Sequence, residues 1–243
     1  MGEQSKTVDK ALALLLAVGD GAPAPIGDLA RRVGLSRTAT SRLLTSLERP
    51  GFVRRTGDGY TLGLAVLRLS DQIKPRLRQA ARPALESLAS EFGETALLAV
   101  RDGFDAVAVD QVLGSAHRVM QVRYRPGHRH PLTVAAHGRA ILAFLPEPSR
   151  AAVLTDLEPN AARHIEAELA TARRQGFVRS SGELEPGAVG VAAPIVDHDG
   201  VAVASIGVVA PDHRLADLTG LGAAVRHAAQ SVRPSVRVTQ GGS

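Results

Sequence analysis

The chain has 243 residues, 44 % apolar and 22 % charged, with a formal net charge of +5. That length and balance suit one large or two modest soluble domains, and the absence of cysteine excludes disulfides and thiolate chemistry. Aromatic residues make up 3 % of the chain, too few for a protein that stacks single-stranded bases on its rings.

The opening "MGEQSK" has Lys6 where N-myristoylation needs Ser or Thr. The apolar run Ala11–Val18 carries Asp9 in its flank and is too short to span a bilayer. It reads as neither a signal peptide nor an anchor, so no membrane partner and a cytoplasmic location are expected. Val8, Leu12, Leu15 and Leu16 instead predict a first helix, ended by the loop "GDGAPAP". Ile26, Leu29, Ala30 and Val33 fall on one stripe of a second helix, which Gly34 stops. Leu35 points inward and Ser36 is a suitable N-cap for a third helix. There Leu43, Leu44 and Leu47 share an inner face with Thr40, and Ala39 stands at its edge. Arg37, Thr38, Ser41, Arg42 and Thr45 remain outside or at the N-terminal end.

Two short helices joined through a tight glycine turn form a helix-turn-helix. "FVRRTGDGYTL" then reads as a hairpin around Gly57-Asp58-Gly59, which makes the unit winged. Ser and Thr each cost a helix about 0.5 kcal/mol relative to Ala, so an outer face rich in them needs a reason. Short hydroxyl side chains let a helix lie close to a groove floor, while Arg reaches guanine or phosphate. The charge agrees: residues 1–74 hold eleven Lys and Arg against seven Asp and Glu, whereas the remainder is nearly balanced at eighteen against seventeen. From Arg31 to Arg55 there are seven Arg and one acid, Glu48. A polyanion partner is therefore expected for the N-terminal part alone. Ser36, Arg37, Thr38, Ser41 and Arg42 are the candidate groove-facing residues; Arg54 and Arg55 on the wing are candidates for phosphate, with Arg31 and Arg32 nearby.

Beyond Leu62, "LGLAVLRLSDQI" and "KPRLRQAARPALESLASEFG" read as helical connectors, with Pro83 a helix start or a kink. From Glu94 the period changes. "TALLAVRDGFDAVAVDQVL" predicts a strand pair and "RVMQVRY" another strand. "TVAAHGRAILAFL" and "AARHIEAELATARRQG" predict helices. "AVGVAAPIV" and "VAVASIGVVA" predict a second hairpin, and "ADLTGLGAAVRHAAQSV" a last helix. Mixed strands and helices over this length make a separate α+β domain, and "VTQGGS" reads as a disordered tail.

Four stretches, "SKTVDKALALL", "IGDLARRVGLSRTATSRLLTSLERPGFVRRTGDGYTLG", "PGHRHPLTVAAHGRAILA" and "ELEPGAVGVAAPIVDHDGVAVASIGVVAP", occur in an order and spacing that resembles the IclR family of bacterial transcription regulators. The resemblance covers about residues 6–235. It implies an α+β architecture in which residues 1–63 form a winged helix-turn-helix and 64–81 a linker helix. Residues 82–236 then form a GAF-like effector-binding domain with a mainly antiparallel sheet, followed by a tail over 237–243. It further implies double-stranded DNA and a small-molecule effector as partners, a homodimer formed through the DNA-binding domains, and pairing of dimers into tetramers. Arg42 matches an Arg common in the family's recognition helix, while Ala39 replaces a frequent Thr.

By the same resemblance the effector pocket lies over the sheet. Ala136, His137 and Gly138 match its helix-entry loop, whose N–H groups suit a carboxylate. Members that bind small keto-acids place polar groups at the positions of Ser180, Gly190, Gly207 and Val209. Only Ser180 keeps one here, and Thr133 replaces a usual His. A roomier, more apolar pocket is implied, suited to a carboxylate with an apolar body. No catalytic residue, metal or cofactor is expected. His128, His130 and His137 lack a nearby acid or Cys to complete a metal set, and Glu183 and Glu185 fit a loop edge better than an acid/base pair. Ser115, His117 and Ser231 form no nucleophile elbow, and no Gly-rich phosphate loop is present. The readings from other classes are an enzyme built on the α+β domain and a protein-interaction module, with the N-terminal domain serving dimerisation.

Overall fold

The structure, a computed structural model, describes residues 5–114, 122–217 and 220–233. The expected tail, Ser115 and His117, and residues 118–121 of the expected strand "RVMQVRY" lie outside them. The chain divides into two compact units, Met1–Lys74 and Pro75–Ser243.

The first unit contains α1 (Lys6–Gly19), α2 (Ile26–Arg32), α3 (Arg37–Glu48), the hairpin β1 (Val53–Thr56) and β2 (Gly59–Leu62), and α4 (Ala65–Ser70). Leu14, Val18, Leu29, Leu44 and Val53 form its core, with Leu15, Leu43, Leu47 and Tyr60 packed around them. Each fully buried Leu contributes about 1.5–3 kcal/mol of transfer free energy, which seats three short helices that would not hold alone. The first helix forms where its pattern indicates, but of Val8, Leu12, Leu15 and Leu16 only Leu15 packs against the core. The buried residues are Leu14, Ala17 and Val18, and Leu16 is 71 % exposed. The helix is apolar on two faces, so periodicity alone could not choose between them. In the wing Ala24 and Tyr60 exchange two backbone hydrogen bonds, 3.2 and 3.0 Å, adding a bridge to the hairpin. Gly59 permits this approach, since a Cβ there would fall 2.3 Å from the Ala24 carbonyl oxygen.

The single linker helix expected over 64–81 is two pieces. α4 stops at Ser70, and α5 (Pro75–Phe92) starts at a proline suited to a first turn and runs unbroken through Pro83. Leu77, Ala81, Leu85 and Leu88 of α5 lie in one core cluster of the second unit, so its first turns belong there by packing.

The second unit is a six-stranded antiparallel sheet in the order β5-β4-β3-β8-β7-β6. Its strands are β3 (Thr95–Asp102), β4 (Asp105–Val112), β5 (Arg129–Pro131), β6 (Val178–Ser181), β7 (Ala188–Val196) and β8 (Ala202–Pro211). Alternation gives the sheet two faces. Leu98, Val100, Ile195, Ile206 and Val208 join a core with α5 and α9 (Leu221–Ser231), while Ala106, Ala192 and Ala202 pack with α6 (Ala135–Ala143) and α8 (Pro159–Gln175).

Several elements differ from expectation, among them β6, which the strand pattern did not indicate. Val122–Tyr124 carry no strand; the edge partner of β4 is instead the short β5, through Ala106↔His130. The last helix begins at Leu221 rather than Ala216, because Gly220 takes a left-handed φ of 81° before it. α7 (Glu147–Leu154), entered through Pro146, carried too little periodicity to be anticipated.

Leu44 touches no solvent and fixes the inner face of α3. Leu44→Ala is expected to destabilise the first unit by about 2–5 kcal/mol, read as an earlier thermal unfolding transition and loss of DNA binding together.

Candidate DNA-binding face and effector cavity

α3 begins at Ser36, whose hydroxyl accepts from the backbone N–H of Ala39 at 3.2 Å, an N-cap that leaves the preceding turn free to reverse the chain. Thr40 and Leu44 are fully buried, while Arg37, Thr38, Ser41, Arg42, Thr45 and Ser46 are exposed. The Thr45 and Ser46 hydroxyls donate to the carbonyls of Ser41 and Arg42, each at 3.0 Å. Such back-bonding satisfies those two hydroxyls within the helix, so a surface pressed against them strands neither.

Consecutive strand residues leave a sheet on opposite sides, so Arg54 and Arg55 cannot share one face of β1; both are exposed. A Glu48 carboxylate oxygen accepts from the Arg55 backbone N–H at 3.3 Å, tying the end of α3 to the wing. Among the described residues Arg37, Arg42, Arg54 and Arg55 make no ion pair within the chain. Arg31 by contrast pairs with Asp28 at 2.5 Å, and Arg32 donates to the Ala17 carbonyl at 3.3 Å.

Over the sheet of the second unit lies a cavity of about 480 Å³, its open mouth included. Leu97 and Ala99 of β3, Ala108 of β4, Val209 of β8 and Ala188–Gly190 of β7 make an apolar floor. Ala135, Ala136 and His137 enter from α6, and Ser180, Gly182 and Glu183–Glu185 close one side. Tyr124, His128 and His130 close another. Of the anticipated pocket residues, Ala136, His137, Ser180, Gly190 and Val209 line it. Gly138 and Gly207 do not: a Cβ on Gly138 would stand 2.8 Å from the Pro131 carbonyl oxygen, and one on Gly207 2.2 Å from that of Val191. Those two glycines permit close backbone packing behind the wall.

The entry to α6 differs from the expected empty anion site. The Ala136 N–H donates to the Ser180 hydroxyl at 2.9 Å, and the Ala135 N–H to a Glu183 carboxylate oxygen at 3.1 Å. The other Glu183 oxygen pairs with Arg139, which is 5 % exposed and also meets Glu168 at 3.2 Å. Ala135 takes φ 59°, a conformation that costs a side-chain-bearing residue about 1–3 kcal/mol, and these bonds hold it there. Sequence spacing could not show that Ser180 and Glu183, over forty residues away, supply the acceptors. Tyr124, Leu97 and the Glu183–Glu185 segment were likewise absent from the expected pocket, because they reach it only through sheet pairing and loop closure.

Nδ1 of His137 lies 3.0 Å from the Ser205 hydroxyl. Complete burial pushes the imidazole down to about 3, with His130 a lesser contributor, so the ring is neutral at pH 7. His130 is also held below its ordinary value, chiefly by burial, although its contact with the Pro131 carbonyl opposes this.

A winged helix-turn-helix with a bare arginine face, followed by an α+β unit enclosing a cavity, defines a ligand-responsive DNA-binding transcription regulator. Residues 7–57 match the IclR helix-turn-helix domain, and residues 73–233 match the bacterial transcriptional regulator IclR C-terminal domain. The chain belongs to the IclR family. It is similar to the glycerol operon regulatory protein of Streptomyces griseus, at 31 % identity over 96 % of each chain. It is also similar to the transcriptional repressor IclR of Escherichia coli, at 29 % identity over 94 % of this chain and 89 % of the relative. An IclR homologue from Microbacterium hydrocarbonoxydans, solved with 4-hydroxybenzoate, has the same fold, with a TM-score of 0.79 over 94 % of this chain and 98 % of that one at 23 % identity.

Because folding holds His137 neutral and lowers the proton affinity of His130, the unfolded chain binds more protons once the pH falls below about 6.5. Stability is therefore expected to fall as the pH drops from about 6.5 towards 3. His137→Gln, which cannot titrate, should lose less melting temperature than the parent between pH 7 and pH 5; equal losses would show that His137 is not the source.

Proposed function

We propose that the protein binds operator DNA as a homodimer. The N-terminal half of α3 enters the major groove, and Arg54 and Arg55 hold phosphates. The observation that carries this reading is the exposure of Thr38, Ser41 and Arg42 beside arginines without an ion pair among the described residues. Ser36 acts there as the cap that orients the helix end, leaving Arg37, Thr38, Ser41 and Arg42 for base edges and backbone.

Dimerisation is supported by apolar side chains in water on the first unit: Val8, Leu12 and Leu16 of α1, spaced at helical intervals, and Leu64, Leu67, Leu69 and Ile73 in and around α4. A soluble monomer rarely leaves so much apolar surface exposed. A two-fold pair of recognition helices reads a pseudo-palindrome, and further pairing would make a dimer of dimers. The effector, a small molecule with an apolar body, acts by binding two arrangements of the DNA-binding units unequally. The regulator names of both relatives favour this role over an enzyme, and no helix among the described residues is long and apolar enough to cross a membrane, which suits a protein working beside cytoplasmic DNA.

Arg42→Ala is expected to weaken operator binding by about 1–3 kcal/mol while leaving random DNA nearly unaffected. Arg55→Ala should weaken both alike and reduce the salt slope by about 1. Fluorescence anisotropy on the gene's own upstream region, between roughly 50 and 200 mM salt, reads both; equal losses on the two DNAs for Arg42→Ala would refute base reading.

Leu67→Asp is expected to shift the protein towards monomer in sedimentation velocity and to lower operator affinity with it. An unchanged sedimentation coefficient would exclude α4 from the dimer interface.

A further inference from the structure

The polar groups around the cavity are poorly suited to an anion. The two N–H groups at the entry of α6 are already bonded to Ser180 and Glu183. Glu183 and Glu185 line the cavity, and among the described lining residues there is no Lys or Arg. A carboxylate moved into such a site would lose its hydration and meet like charge instead of a cation. Arg139, the nearest buried cation on α6, is engaged by Glu183 and Glu168.

Among the buried side-chain polar atoms of the described lining residues, one has no partner. His137, 4 % exposed, borders the cavity, and its Nε2 has no hydrogen-bond partner. Nδ1 is occupied by Ser205. An unpartnered buried ring nitrogen is costly and needs an explanation. A hydroxyl group supplies one, because it both donates and accepts and so satisfies Nε2 in either tautomer. Leu97, Ala99, Ala108, Val189 and Val209 supply an apolar floor for the rest of the molecule.

We propose that the cavity takes an uncharged molecule with an apolar body and a hydroxyl group, hydrogen-bonded to Nε2 of His137. The inference rests on reading the second unit as the effector-sensing part, and deepens it by naming the ligand class. It departs from the carboxylate that the sequence suggests, since Glu183 of the chain itself stands where that carboxylate would go. His137 thereby becomes the residue that sets specificity.

Isothermal titration of the full chain at pH 7 with three matched probes tests this: 4-methylphenol, 1,4-dimethylbenzene and 4-methylbenzoate, each also as the butyl homologue. At that pH a phenol is uncharged and a benzoate ionised. The phenol is expected to bind at least about tenfold more tightly than either of the others. His137→Phe keeps an aromatic ring and removes Nε2 together with the Nδ1 that meets Ser205, so it should erase the preference for phenol over dimethylbenzene while leaving dimethylbenzene within about twofold. A benzoate that binds as tightly as the phenol overturns the proposal. So does equal binding of phenol and dimethylbenzene by the parent protein, which needs no variant to fold, and so does failure of every probe to bind. The same phenol is then added to an operator-binding assay. If it binds the protein but leaves operator affinity unchanged, the cavity assignment stands and the effector-sensing reading fails.

Discussion

The second unit is organised around the need to satisfy the first N–H groups of α6. A helix start inside a protein cannot leave its donors empty, and Val134, at the cap position, has no side-chain acceptor. Ser180 at the end of β6 and Glu183 in the following loop supply the acceptors, and Glu183 in turn holds buried Arg139. That arrangement brings the β6–β7 loop against α6, closes one side of the cavity and fixes Ala135 in its unusual conformation. It also sets the electrostatics, since the chain's own carboxylate occupies the positive end of the helix.

The first unit solves the same problem locally. Ser36 caps α3 from one residue before it, so no distant segment covers the helix start, and the N-terminal turn with Arg37, Thr38, Ser41 and Arg42 stays open. Both functional surfaces therefore follow from how a helix N-terminus is capped: by its own neighbour where a macromolecule is to bind, by remote side chains where a small cavity is to be enclosed. Of the hydroxyls that looked wasteful on the outer face, those of Thr45 and Ser46 are bonded back to the helix, and the short side chains leave a surface close to the backbone.

α1 shows a different economy. Leu14, Ala17 and Val18 serve the core while Val8, Leu12 and Leu16 stay outside. A helix apolar on two sides serves the core with one of them and leaves the other in water, which is the surface that the proposed dimer would cover.

The sequence by itself determined the elements whose signals are local. Ser36, Gly34 and the Leu43–Leu44–Leu47 stripe specify the helix-turn-helix, Gly57-Asp58-Gly59 specifies the wing, and the strand pairs around "DGFD" and "DHDG" specify most of the sheet. Periodicity and turn chemistry act within a few residues, so they can be read in order along the chain. Tertiary structure alone decided which face of α1 is buried, that α5 belongs from Pro75 onwards to the second core, and that the edge of the sheet is β5 rather than Val122–Tyr124. It also decided that Gly138 and Gly207 sit behind the cavity wall and that Glu183 caps α6. Each of these depends on which distant surfaces meet, and apolar or charged character in a linear sequence does not say which partner will satisfy it.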